Sequence, residues 1–306
     1  MKDKLMIATR KSELALWQAN HVAGLLRELH GGLKVELLPM VTQGDVILDR
    51  PLAQIGGKGL FLKELERALL RKEADIAVHS MKDVPMEDVD GLAVEVVLNR
   101  ANPFDALLSN SGQGLAELPA GSRVGTSSLR RQCQLKSSRP DLQVADLRGN
   151  VNTRIRKLQE GEYDAIILAC AGLERLGMDG LVTETLRPPA WLPAATQGTI
   201  GVQCRSDDSA VSSLIQPMLD EETALRTRAE RAVATRLQGS CQVPLAVYAI
   251  MIEGQLKILG LVGTPDGLTI LRSEAEGDPS RVDDLSATVA DDLLEQGADK
   301  IIAALS

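Results

Sequence analysis

Short apolar runs alternate with helix-like stretches along the first two-thirds of the chain, and this alternation limits the fold more than any other feature. Asp75 to Ser80 contains the apolar run Ile76-Ala77-Val78, and Tyr163 to Ala169 contains an apolar run from Ala165 to Ala169. Such runs are typical of strands that are buried on both faces of a parallel sheet. Because amphipathic helical patterns separate the strands, the sequence predicts an α/β fold.

Two sets of alternating elements are predicted. The first has strands at residues 4–9, 35–41, 75–80 and 92–98 and helices at 12–30 and 59–71. The second has strands at residues 122–125, 144–147 and 163–169 and helices at 129–135 and 151–159. Another apolar strand, Thr199 to Cys204, follows the second set, and we expect it to return to the first sheet. Such a return predicts two domains that are joined by two crossing segments and enclose a cleft.

The pattern changes after about residue 210. A helix is predicted at residues 221–237, followed by strands at 243–252, 256–262 and 268–273 and a final helix at 282–305. The turns between these strands contain Glu253-Gly254 and Asp266-Gly267, which are good hairpin sequences. These features predict a small α+β domain. A chain of 306 residues is long enough for two or three domains.

Positive charge is concentrated in one stretch of an otherwise acidic chain. Ser122 to Lys157 has nine Lys or Arg residues and two acids, a local charge of +7 within a net charge of -8, so the rest of the chain sums to -15. Arginine binds carboxylate or phosphate oxygens with a planar fork, so the stretch indicates a partner with many negative charges. The alternative is a solvated helix face, which suits a single arginine better than the whole cluster. Aromatic residues make up only 2% of the chain, which argues against nucleic acid as the partner.

A polar run follows the buried strand that ends at Ser80. It contains Lys82 and Asp83, and ligands in open α/β sheets bind beyond the carboxyl ends of the strands. A carboxylate beside an ammonium group can serve as an acid/base group with an adjusted pKa. The alternative is a structural Lys–Asp pair that ends the strand.

Residues with hydroxyl or amide side chains come directly before each of the two helices that are predicted in the basic stretch. Thr126-Ser127-Ser128 precedes Arg130 and Arg131, and Gly149-Asn150 precedes Arg154. A helix N-terminus is a natural seat for a carboxylate or phosphate, although Ser127 or Ser128 can equally be a simple N-cap. Arg10 follows the first strand, so we expect three cationic strand ends along a common rim.

The four cysteines have no C-x-x-C spacing and only three histidines accompany them, so neither a metal site nor a disulfide framework is expected. Cys241 is on a predicted loop, where a nucleophile or attachment point competes with a small buried residue. Packing is the interpretation for Cys133, Cys170 and Cys204, and His79 is interpreted as a satisfied core histidine. The seventeen residues from Thr42 to Lys58 do not fit a regular element, and a stretch of that length is usually a lid, a binding loop or a disordered segment.

No apolar segment is long enough to span a bilayer, and the first residues do not resemble a secretory signal. We therefore expect a cytoplasmic protein with free thiols and no membrane partner.

Six motifs, in order along nearly the whole chain, carry a family resemblance. They are Ile7-Ala8-Thr9-Arg10-Lys11-Ser12, Gly56-Gly57-Lys58-Gly59-Leu60-Phe61, His79-Ser80-Met81-Lys82-Asp83-Val84-Pro85, Gly125-Thr126-Ser127-Ser128-Leu129-Arg130-Arg131, Leu147-Arg148-Gly149-Asn150-Val151 and Cys241-Gln242-Val243-Pro244. Together they resemble the porphobilinogen deaminase, or hydroxymethylbilane synthase, family.

The resemblance implies a monomer of three domains: residues 1–99 with 199–217, residues 100–198, and residues 218–306. The first two would be α/β domains like those of periplasmic binding proteins, placed around a cleft, and the third a small α+β domain. The resemblance also implies a dipyrromethane cofactor joined by a thioether to Cys241. The reaction would condense four porphobilinogen molecules with loss of ammonia. Each pyrrole ring bears an acetate and a propionate, which supplies the negative charge that the arginines indicate.

The resemblance implies roles for individual residues. Asp83 would be the acid/base group that helps the amine leave, stabilises the cationic intermediate and later assists proton loss. The residues implied in cofactor binding are Lys82, Asp83, Thr126, Ser128, Arg130, Arg131, Arg148 and Arg154, beside the covalent Cys241. The residues implied in substrate binding are Arg10, Ser12, Gln18, Lys58, Phe61, Ser80, Arg148, Arg154, Arg175 and Gln197. No metal is implied.

Two positions depart from the family pattern: Gln54 replaces a lysine of some relatives, and Ser240 replaces the glycine expected before the cysteine. The first leaves the contribution of residue 54 to carboxylate binding open. The main alternative function is an anion-binding module on the same two-domain scaffold. Such a module needs the arginines but neither Asp83 nor Cys241.

Overall fold

The computed structural model of the chain describes residues 2–42, 62–87, 89–237 and 243–305. These residues form two compact units. The first unit contains the described residues up to Ala101 together with Gly198–Ala224. The second unit contains Asn102–Gln197 and the described residues from Leu225 onwards. The predicted division into three domains stays a prediction, as does the cleft.

The strands are β1 Lys4–Arg10, β2 Lys34–Met40, β3 Ile76–Ser80, β4 Leu92–Val97, β5 Asp105–Ser109, β6 Arg123–Gly125, β7 Gln143–Ala145, β8 Ala165–Ala169, β9 Glu184–Leu186, β10 Ile200–Arg205, β11 Leu245–Ile252, β12 Gln255–Gly263 and β13 Ile270–Gly277. The α-helices are α1 Glu13–Leu29, α2 Lys63–Leu70, α3 Leu129–Ser138, α4 Val151–Gln159, α5 Cys170–Arg175, α6 Ser209–Ile215, α7 Glu221–Arg236, α8 Val282–Glu295 and α9 Ala298–Ala303. None of these helices combines the length and apolar character needed to cross a bilayer.

The first unit is built on a sheet with the strand order β2-β1-β3-β10-β4. Strand β1 is parallel to β2 and β3, whereas β10 is antiparallel to β3 and β4. The predicted return of the late strand to the first sheet is therefore confirmed. Helix α1 covers one face because Ala19, Val22, Ala23 and Leu26 recur at helical spacing and are fully buried with Ile7 and Val202.

The second unit repeats this strand pattern in the order β7-β6-β8-β5-β9. Strand β6 is parallel to β7 and β8, and β5 is antiparallel to β8 and β9. Strands β5 and β9 were not predicted from the sequence. Because β5 lies between two other strands, Asp105 at its start is fully buried.

The last strands, β11, β12 and β13, form an antiparallel sheet in chain order. Helices α7 and α8 cover one face, with Val233 and Val289 in the same core as Val247 and Ile258. The other face packs on α3 through Cys133, which explains why this sheet belongs to the second unit. The predicted class, two α/β domains with a small α+β domain, is confirmed.

The prediction of one final helix over residues 282–305 was wrong. Helix α8 ends at Glu295, and α9 begins at Ala298. Gly297, between them, has a φ of 100°, a backbone conformation that interrupts a right-handed helix and that glycine adopts readily.

Candidate active site

Six polar side chains line one pocket of the first unit: Arg10, Ser12, Gln18, His79, Ser80 and Asp83. They come together because parallel strands β1 and β3 end at the same edge of the sheet. Helix α1 begins directly after β1, and a short 3-10 helix that ends at Asp83 follows β3. The prediction of a polar site beyond these strand ends agrees with this placement.

Hydrogen bonds fix several groups in this pocket. Gln18 is buried, and its Nε2 donates to Ser80 Oγ over 2.8 Å. Ser12 is the N-cap of α1, and its Oγ accepts from the backbone N–H of Ala15 over 3.4 Å. The amide and the two hydroxyls are therefore held in place by the protein itself.

The turn that carries Asp83 lies tightly against β10. The backbone N–H of Met81 donates to the carbonyl oxygen of Thr199 over 3.0 Å. Gly201 faces the Met81 side chain so closely that a Cβ at position 201 would lie 2.2 Å from Met81 Sδ. A larger residue at position 201 would displace the Met81 side chain, so glycine allows the turn to pack closely on β10.

His79 is a buried, hydrogen-bonded core histidine, as predicted. Its Nε2 lies 3.0 Å from Oε1 of Gln203 on β10. Burial lowers the pKa of His79 to about 4, so the ring is neutral near pH 7. Glu66 of α2 is partly buried, and this burial raises its pKa.

The two arginines in the first turn of α3, Arg130 and Arg131, are buried rather than solvated. Arg130 Nη1 and Arg131 Nη2 each lie 2.7 Å from a carboxylate oxygen of Asp105, and the two residues are 5% and 6% exposed. Burial alone would raise the pKa of Asp105, but the charges of both arginines outweigh it and hold this pKa well below its usual range. The helix-face alternative is therefore wrong for these two arginines.

The hydroxyls before α3 do not cap it in the predicted way. Ser128 is the N-cap, but its side chain makes no capping hydrogen bond. Ser127 Oγ instead accepts from the backbone N–H of Leu147 over 3.0 Å and donates to its carbonyl oxygen over 3.1 Å. Thr126 Oγ1 accepts from the backbone N–H of Ser128 over 3.2 Å. Ser128 therefore occupies the N-cap position, as the capping alternative requires, but without a capping hydrogen bond from its side chain.

The second predicted turn has a capped helix and a constrained glycine. Asn150 Oδ1 accepts from the backbone N–H of Thr153 over 2.8 Å at the start of α4. Gly149 has a φ of 116°, and its carbonyl oxygen accepts from Arg154 Nε over 2.8 Å. Arg156, two residues after Arg154 on α4, is exposed and pairs with Glu160. The solvated-face alternative therefore describes Arg156.

The remaining predicted residues have varied surroundings. Gln197 is buried, and its Nε2 donates to Pro103 O over 2.8 Å and to Asp105 Oδ1 over 3.0 Å. Arg175 is at the end of α5, and burial lowers its pKa to about 10. Lys82 and Arg148 are partly buried.

Two groupings result from these placements. One is the pocket with Asp83, and the other surrounds Asp105, which sequence reasoning missed together with Trp191. A signal existed for Asp105, since it is an isolated acid at the start of the apolar run Ala106-Leu107-Leu108. An acid at the start of a buried strand needs cationic partners.

Cys241, Lys58, Phe61, Gln54 and Ser240 lie outside the described residues, as does the predicted loop from residue 43 to residue 58. Cys133, Cys170 and Cys204 are buried free thiols, and burial raises the pKa of each to about 11. The prediction that these three have packing roles is confirmed.

Solved structures similar to this chain share little sequence with it. The periplasmic aliphatic sulphonate binding protein SsuA from Escherichia coli is 15% identical, with a TM-score of 0.42 over 78% of this chain and 71% of that one. The BvgS VFT2 domain of Bordetella pertussis is 13% identical, with a TM-score of 0.43 over 72% and 91%. The periplasmic binding protein STM4351 of Salmonella typhimurium is 13% identical, with a TM-score of 0.40 over 72% and 93%.

Two family models cover most of the chain. The model of the porphobilinogen deaminase dipyrromethane cofactor binding domain matches residues 5–213. The model of the porphobilinogen deaminase C-terminal domain matches residues 224–295. The first match includes the pocket with Asp83 and the cluster around Asp105. The chain therefore belongs to the porphobilinogen deaminase family, which acts in tetrapyrrole biosynthesis, and contains the domain that binds the dipyrromethane cofactor.

Proposed function

We propose that the protein has hydroxymethylbilane synthase activity as a monomer. It joins four porphobilinogen molecules head to tail, loses one ammonia at each addition and releases the linear tetrapyrrole by hydrolysis. The observation that supports this most is the pocket of the first unit, in which the Asp83 carboxylate is accompanied by Arg10, Ser12, Gln18 and Ser80. An acid/base group among donors suits a substrate that carries carboxylates and an amine to be expelled.

The residues present fit the cofactor chemically. Each dipyrromethane ring carries two carboxylates, which need cationic or hydroxyl partners, and one N–H group, which needs an acceptor. Arg10 and Ser12 supply such partners in the pocket, and Asp83 supplies an acceptor. When bound, the group supplies the pyrrole carbon to which the first substrate is joined.

The cofactor would be attached by a thioether to Cys241. The residues proposed to hold it are Lys82, Asp83, Thr126, Ser128, Arg130, Arg131, Arg148 and Arg154. The residues proposed to hold the substrate are Arg10, Ser12, Gln18, Lys58, Phe61, Ser80, Arg148, Arg154, Arg175 and Gln197. Arginine forks bind carboxylates in two places at once, so they orient the rings as well as retain them.

Asp83 moves the protons in this proposal. Its carboxylate accepts a hydrogen bond from the pyrrole N–H of the substrate. Its negative charge stabilises the positive charge that develops as the amine leaves. It then assists removal of the proton from the ring carbon that has been attacked. Each addition breaks one C–N bond and forms one C–C bond, and the ring proton balances the ammonia released.

The covalent attachment is tested by counting thiols and measuring mass. Protein made in cells that synthesise porphobilinogen should be a few hundred daltons heavier than its sequence. Because a thioether blocks one sulfur, alkylation after denaturation should modify three of the four cysteines. Cys241→Ser should remove the added mass. A chain of bare sequence mass with four reactive thiols would contradict the proposal.

The role of Asp83 is tested by Asp83→Asn. The amide cannot exchange protons, so we expect the added mass to be retained while kcat falls by about 10²- to 10⁴-fold. The control is Asp90→Asn, at an exposed acid of the same unit, which should leave kcat unchanged. Near-normal turnover by Asp83→Asn would remove Asp83 from the mechanism.

A further inference from the structure

Asp105 accepts an unusual number of hydrogen bonds at the start of β5. Its two oxygens accept from Arg130 Nη1 and Nη2, and from Arg131 Nε and Nη2. Trp191 Nε1 donates to Oδ2 over 2.8 Å, and Gln197 Nε2 donates to Oδ1 over 3.0 Å. The carboxylate is fully buried, so these protein donors take the place of the water molecules that would hydrate it in solution.

Each of the two arginines is held at a second point as well. Arg130 Nη1 donates to the carbonyl oxygen of Leu192 over 2.9 Å, and Arg131 Nη1 donates to that of Ile167 over 2.8 Å. Contacts to a carboxylate and to a backbone carbonyl together fix the plane of a guanidinium group. The arginines are therefore oriented before any ligand arrives.

Both arginines retain binding capacity within the described part of the chain. A guanidinium group has five N–H groups, and the contacts above use three on Arg130 and three on Arg131. Two N–H groups on each therefore remain. Two positive charges also face a single negative charge, which leaves an excess of +1 where water is largely absent. A buried excess charge is costly unless an anion accompanies it.

Other arginine pairs of the basic stretch differ from this cluster. Arg139 pairs with Asp141, and Arg156 pairs with Glu160, each as one cation with one exposed acid. Such pairs are nearly neutral, so they have little reason to attract a further anion.

We propose that Asp105 is a positioning residue, which aims Arg130 and Arg131 so that their remaining N–H groups receive carboxylates of the tetrapyrrole chain. Asp105 does not touch the ligand in this proposal and acts only through the arginines. The inference rests on the proposed function, because that function supplies the carboxylates.

The experiment uses the full chain with its covalent group. Asp105→Asn keeps the shape but removes the charge, Asp105→Glu keeps the charge, and Trp191→Phe removes one donor. The matched control is Asp141→Asn, which breaks the exposed pair with Arg139. For each variant we would measure the added mass per chain and the melting temperature. We would also measure kcat and KM for porphobilinogen, expressed per modified chain.

We expect Asp105→Asn to lower the modified fraction and to raise KM about tenfold or more, the worth of one charge-assisted hydrogen bond. Asp105→Glu should recover part of the loss. Trp191→Phe should raise KM about two- to fivefold, which keeps the proposal testable if Asp105→Asn does not fold. Asp141→Asn should leave KM unchanged.

A purely structural Asp105 would give a different result. Melting temperatures would fall for Asp105→Asn and Trp191→Phe, while KM per modified chain stayed at the wild-type value, and this outcome would overturn the proposal. If instead the wild-type chain carries no added mass, the proposed function fails, and that failure is distinguishable because it precedes any comparison of variants.

Discussion

His79 is a polar ring in the interior of the first sheet, and the cost of burying it depends on its charge. The neutral ring has a hydrogen-bonding partner in Gln203, whereas a charged imidazolium would lose most of its hydration. The same physics applies to Cys133, Cys170 and Cys204, whose burial disfavours the thiolate. Each of these side chains keeps its neutral form near pH 7.

The low pKa of His79 has a consequence for stability. The unfolded ring titrates near pH 6.5, and the folded ring near 4. The unfolded state binds the proton first, so His79 contributes stability that is complete above about pH 6.5 and is lost as the pH falls towards 4. The loss should approach about 1.4 kcal/mol per pH unit within that window.

Urea unfolding at several pH values between 7 and 4 measures this contribution. His79→Gln cannot titrate, so its stability should fall less steeply with acidification than that of the wild type. The difference between the two slopes isolates His79 from the acids that titrate in the same range. Equal slopes would mean that His79 keeps its ordinary pKa in the folded protein.

At the scale of elements, glycine has opposite effects on stability at two positions. Gly24 is inside α1, and a Cβ there would meet no atom within 4 Å. Gly260 is on β12 beneath α8, and a Cβ there would lie 2.8 Å from Val289 Cγ1 and 2.9 Å from Leu293 Cδ1. The first glycine weakens its helix, and the second allows a helix to pack closely on a sheet.

Gly24→Ala should stabilise the protein by about 0.5–1 kcal/mol, because alanine has the higher helix propensity and loses less backbone entropy on folding. Gly260→Ala should destabilise it by about 1–3 kcal/mol, because α8 must move to make room. Denaturant midpoints measure both effects. A neutral Gly260→Ala would show that the contact between α8 and β12 can adjust freely.

At the scale of the whole molecule, charge is distributed unevenly. The stretch from residue 122 to residue 157 sums to +7 and the rest of the chain to -15. An anionic substrate is repelled by most of the surface and attracted by one part of it. Because dissolved salt screens the attraction between charges, ionic strength should change the affinity for such a substrate.

Raising the ionic strength from about 0.01 M to 0.15 M shortens the Debye length from about 30 Å to 8 Å. Under the proposed function, KM for porphobilinogen should then rise several-fold with little change in kcat. Lys257→Gln, which removes a cation paired with Glu274 on the C-terminal sheet, should show the same salt dependence. A KM that is constant or falls with salt would argue against binding through the basic stretch.

The sequence predicted elements well where local periodicity was strong. Helix α4 has the predicted bounds, because its apolar pattern begins after Gly149-Asn150 and ends before Gly161. Strand β9 has only three residues at a sheet edge, too few to show a pattern. The interruption at Gly297 was missed because glycine is tolerated inside helices and its positive φ is not visible in the sequence.

The candidate site was predictable where one strand end determined it. Ser80 ends a buried strand and Asp83 follows it, and both line the same pocket as Arg10. The orientation of Arg130 and Arg131 was not predictable, because it depends on Asp105, which is 25 residues or more away in sequence. Which face of a helix is buried depends on such distant partners, and local pattern does not contain them.

The position of β10 has a consequence for biosynthesis on the ribosome. Within the first sheet, β4 pairs with β10, and β10 in turn pairs with β3. Among the strands that the structure describes, β10 is therefore the partner of residues 92–97, and it becomes available only when residues 200–205 have left the exit tunnel. Throughout that interval, an apolar strand edge is available to chaperones or to neighbouring nascent chains.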